Sequence, residues 1–413
     1  MTRSFRPFTL RERDNAEQLP YERIDRLGLY VHIPFCKSLC GFCPYCKTQY
    51  KESKAGHYRE ALLREIELVT RGREKKEVTS LYFGGGSPAL MADSLKEIVE
   101  SLRRHFIIRE GIGVELHPDD VCRETLEKLK DAGVTMVSLG VQSFSAECLQ
   151  NLGRDAANPR SLAEKLELVR ACGFQAVDVD LIFAIPGQTA DSLKRDMKLA
   201  FAHGATQVST YPLIGFSCAP NAGNPNQAVP EPEKRKLLRA AAACAEELGL
   251  ERTSVWTFAL KGARRYSSVT RDCFLGFGVS AVSLLGGEFK LNTFSTDAYV
   301  ERIRSNSLPT SLTLKFTRRQ RAVYTLFWKC YTMRLNPVDF EKAAGVPLQK
   351  SFPGELFLAG LLGWVEKKDG DYRLTPRGAY RYHVMEQACT QAYIDKVWRI
   401  SRAGAFPSEI KLY

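Results

Sequence analysis

Four of the twelve cysteines lie within eleven residues near the start of the chain. Cys36, Cys40 and Cys43 have the spacing C-x3-C-x2-C, and Cys46 follows after two further residues. Thiolates this close together on one loop can surround an iron–sulfur cluster. The same four residues can also close a tetrahedral zinc site, and the last two form a C-x-x-C pair of the redox type. Structural zinc sites usually join two separated C-x-x-C knuckles, so the compact spacing favours the iron–sulfur interpretation.

The cysteines follow a short β-rich run, and β-rich runs then alternate with amphipathic helical patterns to about residue 260. Several helical patterns end at a glycine, the usual C-terminal signal. A repeated βα unit implies a parallel sheet with right-handed crossovers. About six units are too few for an eightfold barrel, so we predict an α/β fold with a partial, open parallel βα barrel and a site at the C-terminal strand ends. The predicted strands are residues 29–33, 80–83, 113–116, 135–141, 176–185, 207–213 and 253–258, and the predicted helices are residues 57–70, 94–106, 123–132, 161–171, 191–202 and 231–248.

The pattern changes after about residue 310, where helical runs predominate. Helices are predicted at residues 318–331 and 337–344, and a turn-rich segment at residues 364–374 predicts a β-hairpin. This order predicts a smaller, mainly helical, winged-helix-like domain. Such folds often bind DNA, but they also serve as lids or packing domains. The expected division is an N-terminal arm (1–27), a catalytic partial barrel (28–310) and the C-terminal domain (311–413).

The 413-residue chain has 59 lysines and arginines against 47 acidic residues, a net charge of +12. That excess favours an anionic small-molecule partner, with a generally basic surface as the alternative. The basic residues are spread without a stripe or tail, which argues against nucleic-acid binding. No apolar run is long enough for a bilayer span, and the first ten residues lack a signal-peptide core. We therefore expect a cytoplasmic monomer without membrane association.

The cysteine spacing after a first strand in a βα barrel resembles the radical S-adenosylmethionine (radical SAM) superfamily. The flanking segment Tyr30-Val31-His32-Ile33-Pro34-Phe35-Cys36 is similar to that of oxygen-independent coproporphyrinogen III oxidase and its relatives. Those relatives include a heme chaperone, anaerobic heme-cleaving enzymes and a class of C-methyltransferases. Further segments that carry the resemblance are residues 84–88 (GGGSP), 115–118 (ELHP), 140–144 (GVQSF), 180–189 (DLIFAIPGQT) and 275–281 (LGFGVSA).

The resemblance implies that Cys36, Cys40 and Cys43 bind three irons of a [4Fe-4S] cluster and leave the fourth iron open for SAM. An electron from a reduced flavodoxin or ferredoxin-type donor would then cleave the sulfonium bond and give methionine and a 5′-deoxyadenosyl radical. The matching positions are, for a first SAM, Tyr30, Phe42, Gly85, Glu115 and Val282; for a second SAM, Gly86, Ser87, Gln142, Arg154, Asp180 and Ile214; and, for catalysis, Tyr30 and Arg271.

Each assignment has a structural alternative. The glycine run can simply make a tight turn. Glu115 and Asp180 are acids in apolar strands, where an ion pair would also offset the cost of burial. Tyr30, Phe42 and Val282 are equally ordinary members of a hydrophobic core.

The sequence departs from the oxidase at two places. The last cysteine spacing is C-x2-C, whereas the oxidase usually has C-x-C. Cys46 is expected to be inert, with a spare thiol or a radical-quenching donor as the alternatives. The oxidase has a Phe-Gln-Gly-Tyr segment where this chain has residues 264–272, of which only Tyr266 is comparable. Both differences fall where the substrate and the second SAM are expected to meet, so the substrate stays open.

Three functions follow from the resemblance. The first is oxidative radical chemistry on a tetrapyrrole-like or other carboxylate-bearing substrate, whose anionic groups would meet Arg264, Arg265 and Arg271. The second is a two-SAM radical C-methylation, or related carbon–carbon bond formation, at an sp2 carbon of a heteroaromatic or natural-product substrate. The third is a non-enzymatic heme chaperone, which ranks last because the second-SAM positions are filled.

Overall fold

A computed structural model describes residues 8–12, 19–154, 158–219, 229–266 and 272–412. Within these ranges the chain forms one mixed sheet of fourteen strands, against which most of the helices pack. A smaller unit of three strands and several helices precedes the last strand of that sheet in sequence. The arrangement is the α/β partial barrel with a helical C-terminal domain that the sequence predicts.

The α-helices and strands alternate from residue 52 to residue 247, except that two α-helices follow one another at residues 146–171. None of the helices in the described ranges combines the length and apolar character needed to cross a bilayer. The strands are β1 (Phe8–Glu12), β2 (Leu27–Ile33), β3 (Phe35–Cys36), β4 (Thr48–Gln49), β5 (Lys76–Gly85), β6 (Phe106–Leu116), β7 (Met136–Gln142), β8 (Ala176–Phe183), β9 (Gln207–Pro212), β10 (Glu251–Arg252), β11 (Thr257–Ala259), β12 (Cys273–Phe277), β13 (Val282–Leu285), β14 (Glu288–Asn292), β15 (Thr310–Lys315), β16 (Arg334–Leu335), β17 (Val365–Lys368), β18 (Asp371–Leu374) and β19 (Glu409–Leu412). The α-helices are α1 (Glu52–Thr70), α2 (Ala92–His105), α3 (Arg123–Asp131), α4 (Ala146–Asn151), α5 (Pro159–Ala171), α6 (Ala190–Ala202), α7 (Glu231–Glu247), α8 (Thr296–Arg304), α9 (Arg318–Tyr331), α10 (Pro337–Ala344), α11 (Leu348–Ser351), α12 (Pro353–Leu361), α13 (Pro376–Cys389) and α14 (Asp395–Ala403).

Seven neighbouring strands are parallel and form the barrel wall. Their order is β9-β8-β7-β6-β5-β2-β12, and each adjacent pair is parallel. Six of them belong to successive βα units, as the sequence predicts. The pairing brings the C-terminal strand ends to one edge, since Ile33 pairs with Gly85 and Phe183 pairs with Pro212.

Residues 253–258, predicted as a further strand of the same kind, instead contain the turn of a hairpin. Strands β10 and β11 pair antiparallel, and β11 is also antiparallel to β9. The Ser254 hydroxyl donates to the Thr257 hydroxyl at 2.8 Å within this turn. The connection is too short for a parallel crossover, so the chain reverses.

The two faces of a barrel strand are chemically distinct, as β8 shows. Val177, Val179 and Leu181 pack in the main hydrophobic core. Because side chains alternate along a strand, Asp178 and Asp180 point to the opposite face, which is the inside of the partial barrel. The barrel interior is therefore not purely apolar.

Beyond β12 the sheet continues as an antiparallel wall that no sequence pattern indicated. Strands β13, β14 and β15 follow one another, and β1 and β19 come from the two ends of the described chain. Leu10 pairs with Ile410, and both are buried. The division into an arm and two domains stays a prediction, although β1 and β19 share the barrel's sheet.

The unit after β15 has the expected winged-helix-like order. Helices α9, α10 and α12 precede the hairpin of β17 and β18, which pairs with β16. Its small separate core includes Phe340, Leu348 and Phe352. Asp369 and Gly370 have positive φ angles, as a tight two-residue hairpin turn requires.

We expect Gly276→Ala to destabilise the fold. An added Cβ would overlap the Val282 backbone, which packs against β12, and overpacking of this kind costs about 1–3 kcal/mol. The matched control is Gly287→Ala between β13 and β14, where nothing lies within 4 Å of an added Cβ. Urea unfolding should show that loss for the first variant and a change within about 0.5 kcal/mol for the control. Equal unfolding free energies for the two variants would contradict this packing.

Candidate functional site

A loop at residues 34–50 leaves the C-terminal end of β2 and carries the clustered cysteines. Its two ends are joined by backbone hydrogen bonds. The Thr48 N–H donates to the Pro34 carbonyl at 2.6 Å, and the Tyr50 N–H donates to the Cys36 carbonyl at 2.9 Å. The loop is therefore a closed ring fixed by backbone groups, with its side chains available for binding.

Three of the four thiols in this loop have a similar degree of burial, and the fourth differs from them. Cys36, Cys40 and Cys43 are half-buried and free, whereas Cys46 is buried and its thiol donates to the Phe294 carbonyl at 3.3 Å. In the described ranges, no three His, Cys, Asp or Glu side chains converge as ligands of a single metal ion. Because the Cys46 thiol is bonded to a backbone carbonyl, neither a four-cysteine zinc site nor a Cys43–Cys46 redox pair has all of its thiols available. Three half-buried thiols remain. They fit a polynuclear iron–sulfur cluster, in which each iron takes its own thiolate.

The Cys40 thiol has two basic neighbours, His117 and Arg154. Burial raises its pKa, but a hydrogen bond with His117 and the nearby Arg154 charge outweigh burial and lower the pKa of Cys40 to about 7. The Arg154 Nη2 atom lies 3.7 Å from the Cys40 sulfur. Burial, together with the neighbouring Cys43 and Cys40 thiols, raises the pKa of Cys36 to about 12. Since the thiolate is the metal ligand, Cys40 is more readily ionised for binding than Cys36.

Two glycines let the end of β5 pack directly on the base of the cysteine loop. The Ser87 N–H donates to the Phe35 carbonyl at 2.7 Å, and a Cβ on Gly86 would overlap that same carbonyl. Gly85 has a φ of +115°, and a Cβ there would lie 2.5 Å from the His32 ring. Both positions therefore require glycine for packing, whether or not a ligand approaches them.

Glu115, assigned from the sequence to the first SAM, lies near the end of β6 beside this glycine run. Its Oε1 accepts from the Tyr82 hydroxyl at 2.6 Å, and its Oε2 accepts from the Gly85 N–H at 3.0 Å. Burial raises the pKa of Glu115, while these two hydrogen bonds lower it. Among the described residues, no lysine, arginine or histidine nitrogen lies within 4.0 Å of its carboxyl oxygens. The ion-pair alternative therefore has no partner there, and a cationic ligand group would supply the missing counter-charge.

Tyr30, assigned to the first SAM and to catalysis, ends a hydrogen-bonded chain. Its hydroxyl lies 2.9 Å from His32 Nδ1, and His32 Nε2 lies 2.9 Å from the Cys46 carbonyl oxygen. A carbonyl only accepts, so Nε2 carries the proton and Nδ1 accepts from Tyr30. Burial lowers the pKa of His32 to about 4, which keeps the ring neutral. The chain ties the first barrel strand to the cysteine loop.

Arg154 and Phe42 meet beside Cys40. The Arg154 guanidinium donates to the Gly140 carbonyl at 2.7 Å and lies 5.6 Å from the centre of the Phe42 ring. Gln142, two residues after Gly140, has a φ of +72°, which non-glycine residues rarely adopt. Backbone strain of this kind persists only where the surroundings fix it. Positions assigned to the two SAM molecules are thus brought to the same side of the cysteine loop.

Asp180, another position assigned to the second SAM, is half-buried on β8, two residues after the buried Asp178. The Ser138 hydroxyl donates to Asp180, and the Ser209 hydroxyl donates to Asp178, both at 2.8 Å. Burial raises the pKa of Asp180, and the nearby Asp178 and Glu115 raise it further. Neither aspartate has a lysine or arginine nitrogen within 4.0 Å in the described part of the chain. The barrel interior therefore carries acidic groups without basic partners.

The remaining assigned positions are less closely connected to the loop. Ser87 is buried, and its hydroxyl accepts from the His117 N–H at 3.4 Å. Ile214 follows β9, and Val282 begins β13 and packs against the main core. Arg271 lies outside the described residues. The roles assigned to these residues stay predictions.

Two arginines expected near the substrate lie at the other end of the barrel. Arg264 donates to the Gln175 side chain, and Arg265 pairs with Glu251 at 2.6 Å. Gln175 directly precedes β8, so it marks the N-terminal ends of the parallel strands. The expectation was wrong because β11 runs antiparallel and returns the chain to that end.

The C-terminal helix α14 covers the cysteine loop, which no sequence pattern indicated. Arg402 donates to the carbonyls of Pro44, Tyr45 and Cys218, the last two at 2.7 and 2.9 Å. The Trp398 ring lies 5.5 Å from the Tyr45 ring. Helix α14, which is remote in sequence, therefore holds the loop in place through these contacts; we call this set of contacts the clamp.

Lys47 and His117 also contribute to the site without having been singled out. The Lys47 ammonium donates to the carbonyls of Cys40 and Cys43, the second at 2.9 Å. His117 bonds the Cys40 thiol. A signal was available for both, since Lys47 directly follows the last cysteine and His117 lies within the ELHP segment.

Comparison with known proteins gives consistent matches. A family model described as the radical SAM superfamily matches residues 30–200. The heme chaperone HemW of Bacillus subtilis (strain 168) is 25% identical over 362 residues, which cover 84% of this chain and 95% of that protein. The anaerobilin synthase of Escherichia coli O157:H7 is 28% identical over 374 residues, which cover 87% and 80%. The solved structure of coproporphyrinogen III oxidase (HemN) from Escherichia coli superposes with a TM-score of 0.76 at 23% identity, covering 93% of this chain and 95% of that one, and has the same fold.

We expect Arg402→Ala to speed the loss of the cluster from the loop. The substitution removes hydrogen bonds from a charged donor, each worth about 1.5–3 kcal/mol. Decay of the iron–sulfur absorbance in air should become at least about fivefold faster. Arg399→Ala is the matched control, because Arg399 lies on the same helix and is exposed. Indistinguishable decay rates for the two variants would contradict the clamp.

We expect the buried, neutral His32 to make the protein less stable as the pH falls. Its folded-state pKa of about 4 lies below the unfolded value of about 6.5, so between these values only the unfolded chain takes up the proton. The stability lost from this residue is about 2 kcal/mol at pH 5. His32→Gln removes that titration, so its destabilisation relative to the wild type should be about 2 kcal/mol smaller at pH 5 than at pH 7.5 in urea unfolding. The same difference at both pH values would show that His32 is not neutral in the folded protein.

Proposed function

We propose that the chain is a radical SAM enzyme, with a [4Fe-4S] cluster and SAM as its cofactors, that oxidises a tetrapyrrole-like or other carboxylate-bearing substrate by radical chemistry. The finer part of this proposal is supported by the relatives named anaerobilin synthase and coproporphyrinogen III oxidase. Its electron donor would be a reduced flavodoxin or a ferredoxin-type protein.

The observation that carries the proposal is the meeting of three free thiols, a glycine strand end and a half-buried carboxylate at one edge of the barrel. Cys36, Cys40 and Cys43 would hold the cluster, which supplies the electron that cleaves the sulfonium bond of SAM when both are bound. Glu115 and the backbone of Gly85 would position the SAM amino group, because that carboxylate lacks a basic partner among the described residues.

The other residues of the site would orient the ligands and exclude water. In the neutral Tyr30–His32 pair, the Tyr30 hydroxyl already donates its hydrogen bond to His32 Nδ1. Asp178 and Asp180 make the deep interior acidic, which suits the cationic end of SAM rather than an anionic group. The carboxylates of the substrate would therefore lie toward the rim, where the Arg154 guanidinium lies 3.7 Å from the Cys40 sulfur.

The relative named heme chaperone favours a second candidate, a non-enzymatic heme carrier, because the match covers 95% of that protein. The same site would then retain heme without turnover. Radical C-methylation on two SAM molecules is a further outcome that the test below distinguishes.

Anaerobic turnover separates these functions. Reconstituted protein with dithionite and SAM should release 5′-deoxyadenosine. With coproporphyrinogen III or reduced heme as substrate, carbon dioxide or an opened tetrapyrrole without S-adenosylhomocysteine would support oxidation. S-adenosylhomocysteine with a heavier product would indicate methylation. Heme that is retained without any release of 5′-deoxyadenosine would contradict the proposed enzymatic activity and support the heme-carrier function.

We expect Cys36→Ser to abolish 5′-deoxyadenosine release, because it removes one of the three proposed iron ligands. Cys46→Ser is the matched control, since that thiol is buried and bonded to the Phe294 carbonyl. The control should retain most of its iron and its activity. Loss of activity in both variants alike would contradict the proposal that three of the thiols bind the cluster and Cys46 does not.

A further inference from the structure

A cavity of about 450 Å³ lies outside the barrel, between helix α7, strand β10 and the start of helix α13. Its lining includes the apolar side chains of Leu238 and Tyr380. Its charged lining consists of four arginines, which are Arg235, Arg239, Arg252 and Arg377. We call this region the arginine cavity; it shares no residue with the strand ends that form the radical site.

The arginines of this cavity lack acidic partners. In the described part of the chain, no aspartate or glutamate oxygen lies within 4.0 Å of their guanidinium nitrogens. The nearby Glu231 is already engaged, since it pairs with Lys234 at 3.8 Å and accepts from the Tyr380 hydroxyl at 3.0 Å. Arg235 and Arg239 are four residues apart on α7, a spacing at which like charges lie side by side and repel.

Arg252 carries the same unbalanced charge at a more buried position. Its guanidinium donates to the carbonyls of Ser254 and Val255 rather than to an acid. Burial lowers the pKa of Arg252 to about 10, which reflects the cost of holding its charge there. The Arg235 guanidinium lies 5.0 Å from the centre of the Tyr380 ring, which fixes it at the cavity wall. An anion would offset both the repulsion and the lost hydration.

The amino end of α13 adds further positive potential. This helix has 14 residues, and the Thr375 hydroxyl caps it by accepting from the Gly378 N–H at 3.1 Å. Arg377 lies in its first turn. The N–H groups and dipole at a helix start favour a bound anion, so the helix end and the arginines act in the same direction.

We propose that the arginine cavity binds a small molecule that carries at least two phosphate or carboxylate groups. The cavity volume is in the range of small-molecule sites. Four guanidinium groups exceed what a single monoanion would neutralise, and arginine forks recognise both kinds of anionic group. The apolar surfaces of Leu238 and Tyr380 would contact the uncharged part of the ligand. Such a ligand would bridge α7 of the barrel and α13 of the C-terminal region.

Calorimetric titration of the anaerobically reconstituted protein tests this proposal. The probes are pyrophosphate and citrate, each at about 0.15 M salt so that weak surface attraction is screened. Binding of pyrophosphate alone would identify a phosphate-bearing ligand, and binding of citrate alone would identify a polycarboxylate. The double variant R235A/R239A should weaken binding at least about tenfold, because it removes two charged donors.

The matched control is R71A/R104A, which removes the same charge from two exposed arginines on other elements. It should change the affinity less than about twofold. Arg377→Ala, at an exposed position, provides a second variant if the α7 double variant melts early. Absence of binding by the wild type, or equal weakening in the control, would overturn the proposal. Because the titration needs no turnover, its result is independent of the proposed radical chemistry.

Discussion

The close contact between the end of β5 and the base of the cysteine loop is the constraint on which the site depends. Backbone hydrogen bonds of 2.7 Å join Gly86 to Ile33 and Ser87 to Phe35, and they leave no room for a side chain at position 86. The loop therefore starts from a fixed point. Glu115 accepts a hydrogen bond from the same strand end, so the positions of the thiols and of the carboxylate are both fixed relative to β5. A change that widens this contact would displace both together.

The placement of charge is the second organising feature. The net charge of +12 led us to expect anionic groups at the active site. The barrel interior instead holds Glu115, Asp178 and Asp180 without basic partners among the described residues, and the arginine cavity lies outside the barrel. Net charge describes the whole surface and carries no information about where the excess lies. The acidic interior suits the cationic groups of SAM. An acidic site and a net positive charge are compatible because the basic excess lies elsewhere on the protein.

The sequence predicts local features of this fold well and non-local features poorly. The βα units were predictable because periodicity and glycine stops are local signals, and the site motifs lie at strand ends where the architecture brings them together. The pairing of β1 with β19 joins opposite ends of the described chain, and the bonds from Arg402 to the loop join equally distant segments. Neither of these long-range contacts produces a periodic pattern in the sequence. Arg264 was misplaced because a strand's direction cannot be read from its composition.

Cys46 shows how the fold accommodates the unusual spacing of the last cysteine. Its carbonyl accepts from His32 Nε2, and its thiol donates to the Phe294 carbonyl at 3.3 Å. Burial raises the pKa of Cys46 to about 11, so the thiol stays protonated near neutrality and does not compete as a thiolate ligand. We infer that this residue anchors the loop to the barrel. The remaining three thiols are the number that a four-iron cluster with one open iron requires.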